Sequence, residues 1–168
     1  MTSHTTSRTR KGFTLIEILI VVIILGILAA IVIPQFTNAS KEAKQSSLVT
    51  MVQSLRSQIA LFKLQHNDRL PGANPLVDGP GGVFDETVFW NQMTQFTTLA
   101  GDPAAAKNTA TGHVYGPYMQ SRPVNPLNNS FTVAAAAAAG VGFVYDYSGV
   151  IGSGKMWGVD STGAQIAQ

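Results

Sequence analysis

Glu17 is the one charged residue in the run Phe13–Ile33, which reads FTLIEILIVVIILGILAAIVI and has Thr14 as its only other polar side chain. A carboxylate inside an apolar helix is expensive, and such groups are usually paired. The sequence offers a partner four residues away. A cut between Gly12 and Phe13 would give Phe13 a new ammonium group on the helical face that carries Glu17, where the helix N-terminus adds its own partial positive charge. Glu17 could then pair with its own amine or, in a bundle of such helices, with a neighbour's. The second pairing would set the register, because a slipped helix leaves a charge without a partner in apolar surroundings. The chemistry to which this pattern points is done to the chain, at Gly12-Phe13.

Other reactive side chains are sparse. There is no cysteine, which excludes a disulfide framework, a thiolate zinc site and a thiol nucleophile. The histidines are His4, His66 and His113. His66, two residues before Asp68, reads as a C-terminal cap on a helix dipole rather than half of a triad. No nucleophile motif, paired metal ligands or acid–base carboxylate pair accompanies it, so no enzyme is expected. Gly79-Pro80-Gly81-Gly82 lacks the following Lys-Ser/Thr and the preceding strand of a phosphate loop. Asp146, Asp160 and Ser161 could offer oxygen ligands to calcium; solvated turn residues are the alternative.

Phe13–Ile33 is long enough to serve as a membrane span, since 21 helical residues cover about 31 Å. Arg8, Arg10 and Lys11 precede it with no acid among them, whereas Lys41 and Lys44 flank Glu42 after it. This asymmetry puts the N-terminus in the cytoplasm and the rest on the outer side. Without those three cations, eight basic residues face nine acidic ones, a formal charge of −1. No basic face for nucleic acid is left. A cleaved signal peptide would force its cut at Ala29-Ala30 and bury Glu17 in the apolar region; a plain signal anchor would leave Glu17 without a task. Pro34 should kink or break the helix.

Beyond Asn38 the pattern turns amphipathic. Leu48, Val52, Leu55, Ile59 and Phe62 form a stripe at helical spacing, which predicts a core face under a small sheet. The helix should stop at about Gln65, before Asp68-Arg69-Leu70-Pro71-Gly72. Residues 72–84 read as a loop. Phe89, Met93 and Phe96 then mark a short helix with Asp85 as its N-cap. Pro103–Asn125 reads as ordered loop, broken by Gly112, Gly116, Pro117 and Pro123. Val141, Phe143, Tyr145 and Tyr147 alternate as in a half-buried strand; turns at Ser148-Gly149 and Gly152-Ser153-Gly154 lead to a further strand over Lys155–Val159. Ala134–Ala139 reads as a loop insert or poor edge strand. The predicted fold class is α+β, a long N-terminal helix on a small antiparallel sheet.

Lys11-Gly12-Phe13-Thr14-Leu15-Ile16-Glu17, followed by the apolar run, resembles the leader of type IV prepilins and type II secretion pseudopilins. Pro34 falls where that family often has a proline. The segment Gln58–Gly72 is similar to the helix end of the major pseudopilin. Tyr115-Gly116-Pro117-Tyr118 and Pro123-Val124-Asn125-Pro126-Leu127 resemble its next loop more loosely, with Asn125 and Leu127 near positions where the family has Asp and Trp. The resemblance implies a type IV pilin-like fold with a cleaved leader (1–12), a transmembrane and assembly helix (13–36) and a periplasmic domain (37–168). It implies a prepilin peptidase that cuts after Gly12 and N-methylates Phe13, and storage in the inner membrane. Self-assembly with other pseudopilins would come next, driven by an assembly platform and its ATPase. The implied role is a pseudopilus subunit of type II secretion, with a pilin for adhesion, motility or DNA uptake as the alternative and a signal-anchored exported binding domain as a second. Members often bind calcium in C-terminal loops, but the acidic spacing is not reproduced here.

Overall fold

A computed structural model describes residues 12–72, 84–147 and 154–166. Helix α1, Leu15–Gln65, is continuous through both the apolar run and the amphipathic stripe. Of the two outcomes expected at Pro34, a break does not occur: helix is formed on both sides of it. Proline withholds one main-chain donor from the helical ladder. Just beyond it, the Thr37 hydroxyl donates to the carbonyls of Ile33 and Pro34, at 3.1 and 2.9 Å.

The chain divides into two units, residues 1–41 and 42–168. In the first, every described residue is exposed within the chain. Its most apolar 18-residue window has a mean hydropathy of 3.3, and the helix is long and apolar enough to cross a membrane.

The second unit holds the core. Leu48, Val52, Leu55, Ile59 and Phe62 are all buried, as their spacing predicts. They pack with Phe89, Trp90 and Met93, and with Phe143, Tyr145 and Met156 from the C-terminal strands. Burying each such side chain contributes about 1.5–3 kcal/mol. Beyond Gln65, Asn67 and Asp68 take left-handed backbone angles (φ 53° and 62°), which Asn and Asp tolerate better than most residues. The Asp68 N–H reaches back to the Lys63 carbonyl at 3.0 Å, closing the helix before Pro71.

Helix α2, Glu86–Thr94, begins as expected at Asp85, whose carboxylate accepts from the N–H groups of Thr87 and Val88. Phe96 lies beyond its end. It belongs to β1, Phe96–Thr97, which pairs antiparallel with β2, Pro103–Ala104. The remaining strands are β3 (Val133–Ala134), β4 (Phe143–Tyr145) and β5 (Met156–Gly158), in the order β3-β4-β5. β4 and β5 are antiparallel, as expected; β3 adds a parallel edge that the sequence did not announce. The alanine tract thus begins in an edge strand, Val133–Ala134, and continues as loop. The fold class is α+β, as predicted.

The alternation expected for β4 needs correcting. All three of its residues are buried, and Val144 packs with Val141 and Val159 in a second, smaller cluster. That face is covered by chain, not by water. The glycine-rich loop at 79–82 and the turns at 148–149 and 152–153 lie outside the described residues.

Candidate functional site

Gly12, Phe13 and Thr14 precede the helix. Phe13 is 84% exposed, and nothing within 4 Å would obstruct a side-chain atom added at Gly12. The bond between them is therefore accessible and outside helical geometry. Thr14 and Glu17 satisfy each other across the first turn. Glu17 Oε2 accepts from both the N–H and the hydroxyl of Thr14, each at 2.7 Å, while the Glu17 N–H donates to Thr14 Oγ1 at 3.3 Å. The Ile18 N–H reaches the Thr14 carbonyl at 3.4 Å, the first helical hydrogen bond. This is a capping box, Thr-x-x-Glu, with Thr14 as N-cap. Sequence reasoning gave Glu17 the Phe13 amine as partner and missed Thr14, although the four-residue pattern was there to be read. The two roles are compatible, because a carboxylate has two oxygens and about four acceptor positions.

The other sequence candidates have different surroundings. His66, read as a C-terminal cap on the helix dipole, is fully buried. It does bond a last-turn carbonyl: Nδ1 lies 2.8 Å from the Phe62 oxygen, and Nε2 lies 3.0 Å from Thr97 Oγ1. Burial pushes the imidazole pKa down. Hydrogen bonds to the Phe62 and Thr98 backbones oppose this, and Arg69 adds to the depression. Its cap is thus a neutral hydrogen bond and not a charge placed against the dipole.

Asp160 organises a turn. Its Oδ1 accepts from the Thr162 N–H and hydroxyl, at 2.8 and 2.7 Å, and from the Ala164 N–H at 2.9 Å. These bonds, with the Thr162 hydroxyl first among them, hold its pKa below the ordinary carboxylate value. Ser161 is exposed beside it. Asp146 is half-buried beside β4, its N–H donating to the Lys155 carbonyl at 2.9 Å. Among the described residues, no group of three or more His, Asp or Glu side chains is arranged to hold a metal ion.

Several buried polar side chains escaped the sequence reading. Asn125 Nδ2 donates to the carbonyls of Gly142 and Val159, each at 2.7 Å, and its Oδ1 accepts from the Leu127 N–H at 2.9 Å. Gln92 bridges Gly72 and Gly101 through its two amide ends. The half-buried Arg56 donates from Nε to the Met156 carbonyl at 2.8 Å and lies 5.9 Å from the Trp157 ring centre.

A family model, the prokaryotic N-terminal methylation motif, matches residues 7–33. The type IV narrow pilus major component PilA5 of Thermus thermophilus is 32% identical over 95 residues, 56% of this chain and 81% of that protein. The type II secretion system core protein G of Pseudomonas aeruginosa is 34% identical over 99 residues, 57% of this chain and 69% of that protein. Its counterpart from Dickeya chrysanthemi is 38% identical over 77 residues, 44% of this chain and 50% of that protein. The match thus spans half the length of the Dickeya protein and more than two thirds of the other two. No solved structure matches the chain. The shared stretch of 99 residues is nearly twice the length of the 51-residue α1, so the likeness reaches well past the methylation motif. On that breadth, the chain belongs to the type IV pilin-like family that includes both the pilins and the core protein G of type II secretion.

Proposed function

We propose that the chain is a structural subunit of a type II secretion pseudopilus, supporting export of folded proteins across the outer membrane. The observation that carries this reading is the extended similarity to proteins named core protein G, which recurs at 34–38% identity in Pseudomonas, Dickeya and Aeromonas. In this reading residues 1–12 are a leader, removed by a prepilin peptidase that also methylates the new amine of Phe13. The Phe13–Phe36 segment then waits in the inner membrane, with residues 37–168 on the periplasmic side. An assembly platform and its ATPase draw it into a filament, where burial against other helices replaces burial in lipid. Glu17 registers the subunit by pairing with a Phe13 amine, its own or a neighbour's.

One observation favours a second reading. The Thermus relative, named as a pilus component, is matched over 81% of its length. A true pilus would place the same subunit in long surface fibres.

Two measurements test the proposal. Mass spectrometry of the membrane fraction should find a chain beginning at Phe13 with one added methyl group. A chain that keeps residues 1–12 would reduce the protein to a signal-anchored domain, and one beginning near Ile31 would make it a secreted protein. Deleting the gene should stop release of folded exoproteins and leave surface fibres intact. Loss of fibres with secretion unchanged would move the chain to the pilus reading.

A further inference from the structure

His66 is a buried titratable side chain that filament assembly leaves without a task. It directly succeeds the last residue of α1, and its ring stacks on Phe62 with centres 3.8 Å apart and planes 7° from parallel. Tyr115 and Tyr118 close over it, with ring centres at 5.3 and 6.2 Å. Both ring nitrogens are engaged, and the partners fix the tautomer. A carbonyl can only accept, so Nδ1 carries the proton toward Phe62; Nε2 is then the acceptor for the Thr97 hydroxyl.

Thr97 is itself a junction. It is fully buried in β1, and its N–H donates to the Tyr115 carbonyl at 2.9 Å. Its own carbonyl accepts from the N–H groups of Val114 and Tyr115, at 3.1 and 3.2 Å. The imidazole therefore joins the end of α1 to the segment 96–118, which lies outside the β3-β4-β5 sheet, alongside the Tyr118 hydroxyl, which donates to Gln65 Oε1 at 2.6 Å.

We propose that His66 is an acid-sensitive latch: neutral, it fastens segment 96–118 to the end of α1, and on taking a second proton it releases that segment while α1 stays packed on β4 and β5. Burial, the larger effect, opposes a positive charge on the ring, whereas the Phe62 and Thr98 backbones favour one. Arg69 bears on the ring with like charge, and burial pushes the Tyr118 phenol pKa up to about 12, so it offers no negative partner. No carboxylate is among the influences on the ring from the described residues. A proton on Nε2 would also oblige the Thr97 hydroxyl to turn from donor to acceptor. Because burial lowers the affinity of the closed form for this proton, the released form binds it more tightly. The latch is at full strength above the ordinary histidine value of about 6.5 and weakens as pH falls below it. A body on the outer side of a membrane would meet such acid directly, but the latch itself does not depend on that placement.

The test is hydrogen exchange on the full chain in detergent micelles, at about pH 7.5 and about pH 5, corrected for intrinsic rates. Amides in 96–118 should lose protection several-fold in acid, while those in 143–147 keep theirs. In His66→Gln, whose amide can donate to Phe62 and accept from Thr97, protection should be the same at both pH values. No acid loss in the wild-type segment, or an equal loss in the variant, overturns the latch. If the variant fails to fold, NMR titration of the wild-type ring decides. A midpoint below about 6.5, with the Thr97 and Tyr115 amides moving together with it, supports the proposal, and a midpoint at or above that value overturns it.

Discussion

Thr14 and Glu17 already satisfy each other in the uncut chain, so the carboxylate has partners without a Phe13 amine. Thr14→Ala removes both the hydroxyl donor and the acceptor for the Glu17 N–H. Amides 15–17 should then exchange about fivefold faster in micelles, the factor that goes with losing an N-cap, while insertion is unchanged. Unaltered exchange would mean that the cap does not hold the start of α1. Asn125 sets a sharper test. Asp in its place has almost the same shape but, as a carboxylate, only accepts, and two carbonyls would face it at 2.7 Å. Asn125→Asp should cost about 3 kcal/mol in urea unfolding at neutral pH. Part of that should return in acid, where a protonated carboxyl can donate once. Such residues explain what the sequence could and could not disclose. Asp85 was legible because its partners are two and three positions away. Asn125 was not, since its carbonyl partners are 17 and 34 residues distant and no local spacing marks them. His66 was legible as a helix-end residue but not as a buried one, because the residue that covers its Nε2 is 31 positions on.

At the scale of elements, α1 and β5 approach each other at Gly158. A methyl group added there would meet Leu48 Cδ2 at 2.5 Å and Leu48 Cγ at 2.8 Å, and Leu48 is fully buried. Gly158→Ala should therefore cost about 1–3 kcal/mol through overpacking, and Leu48→Ala about 2–5 kcal/mol through the cavity it leaves. Combined, they should cost less than the sum, with a coupling of about 0.5–3 kcal/mol measured by urea unfolding of all three variants. Strict additivity would show that the Leu48–Gly158 contact does not set the helix–sheet distance. The stripe on α1 was legible because helical burial repeats at a local period, and Leu48 to Phe62 carry enough turns to display it. The strands were legible only in part. At two or three residues they are too short for alternation to declare which face is wet, and β4 has no wet face. The parallel pairing of β3 with β4 went unannounced for a similar reason: only eight residues, 135–142, join them, fewer than the dozen or more that such a crossover usually takes.

At the scale of the molecule, burial and charge divide the chain at two different places. Every buried residue among those described lies between Leu48 and Val159, and residues 12–47 are exposed throughout. The first 11 residues hold three of the 11 basic side chains, and the rest of the chain is nearly neutral. A helix with 18 residues of mean hydropathy 3.3 and no burial within its own chain must find its apolar surroundings elsewhere, in lipid or against other such helices. The body asks nothing of it. The stripe from Leu48 to Phe62, the aromatic residues of α2 and the strands β4 and β5 complete one core without a side chain from the span. Residues 42–168, made without the first 41, should therefore be soluble and unfold in one cooperative urea transition. The stability should lie within about 1 kcal/mol of the full chain in micelles, because the shortening removes no side chain of the core. The shortened chain should also keep its near-ultraviolet circular dichroism, to which Trp90 and the buried tyrosines contribute. A shortened chain with helical far-ultraviolet signal but a broad transition and no near-ultraviolet signal would be a molten form. It would show that the first half of α1 stiffens the second, and that the membrane or filament segment takes part in folding the body.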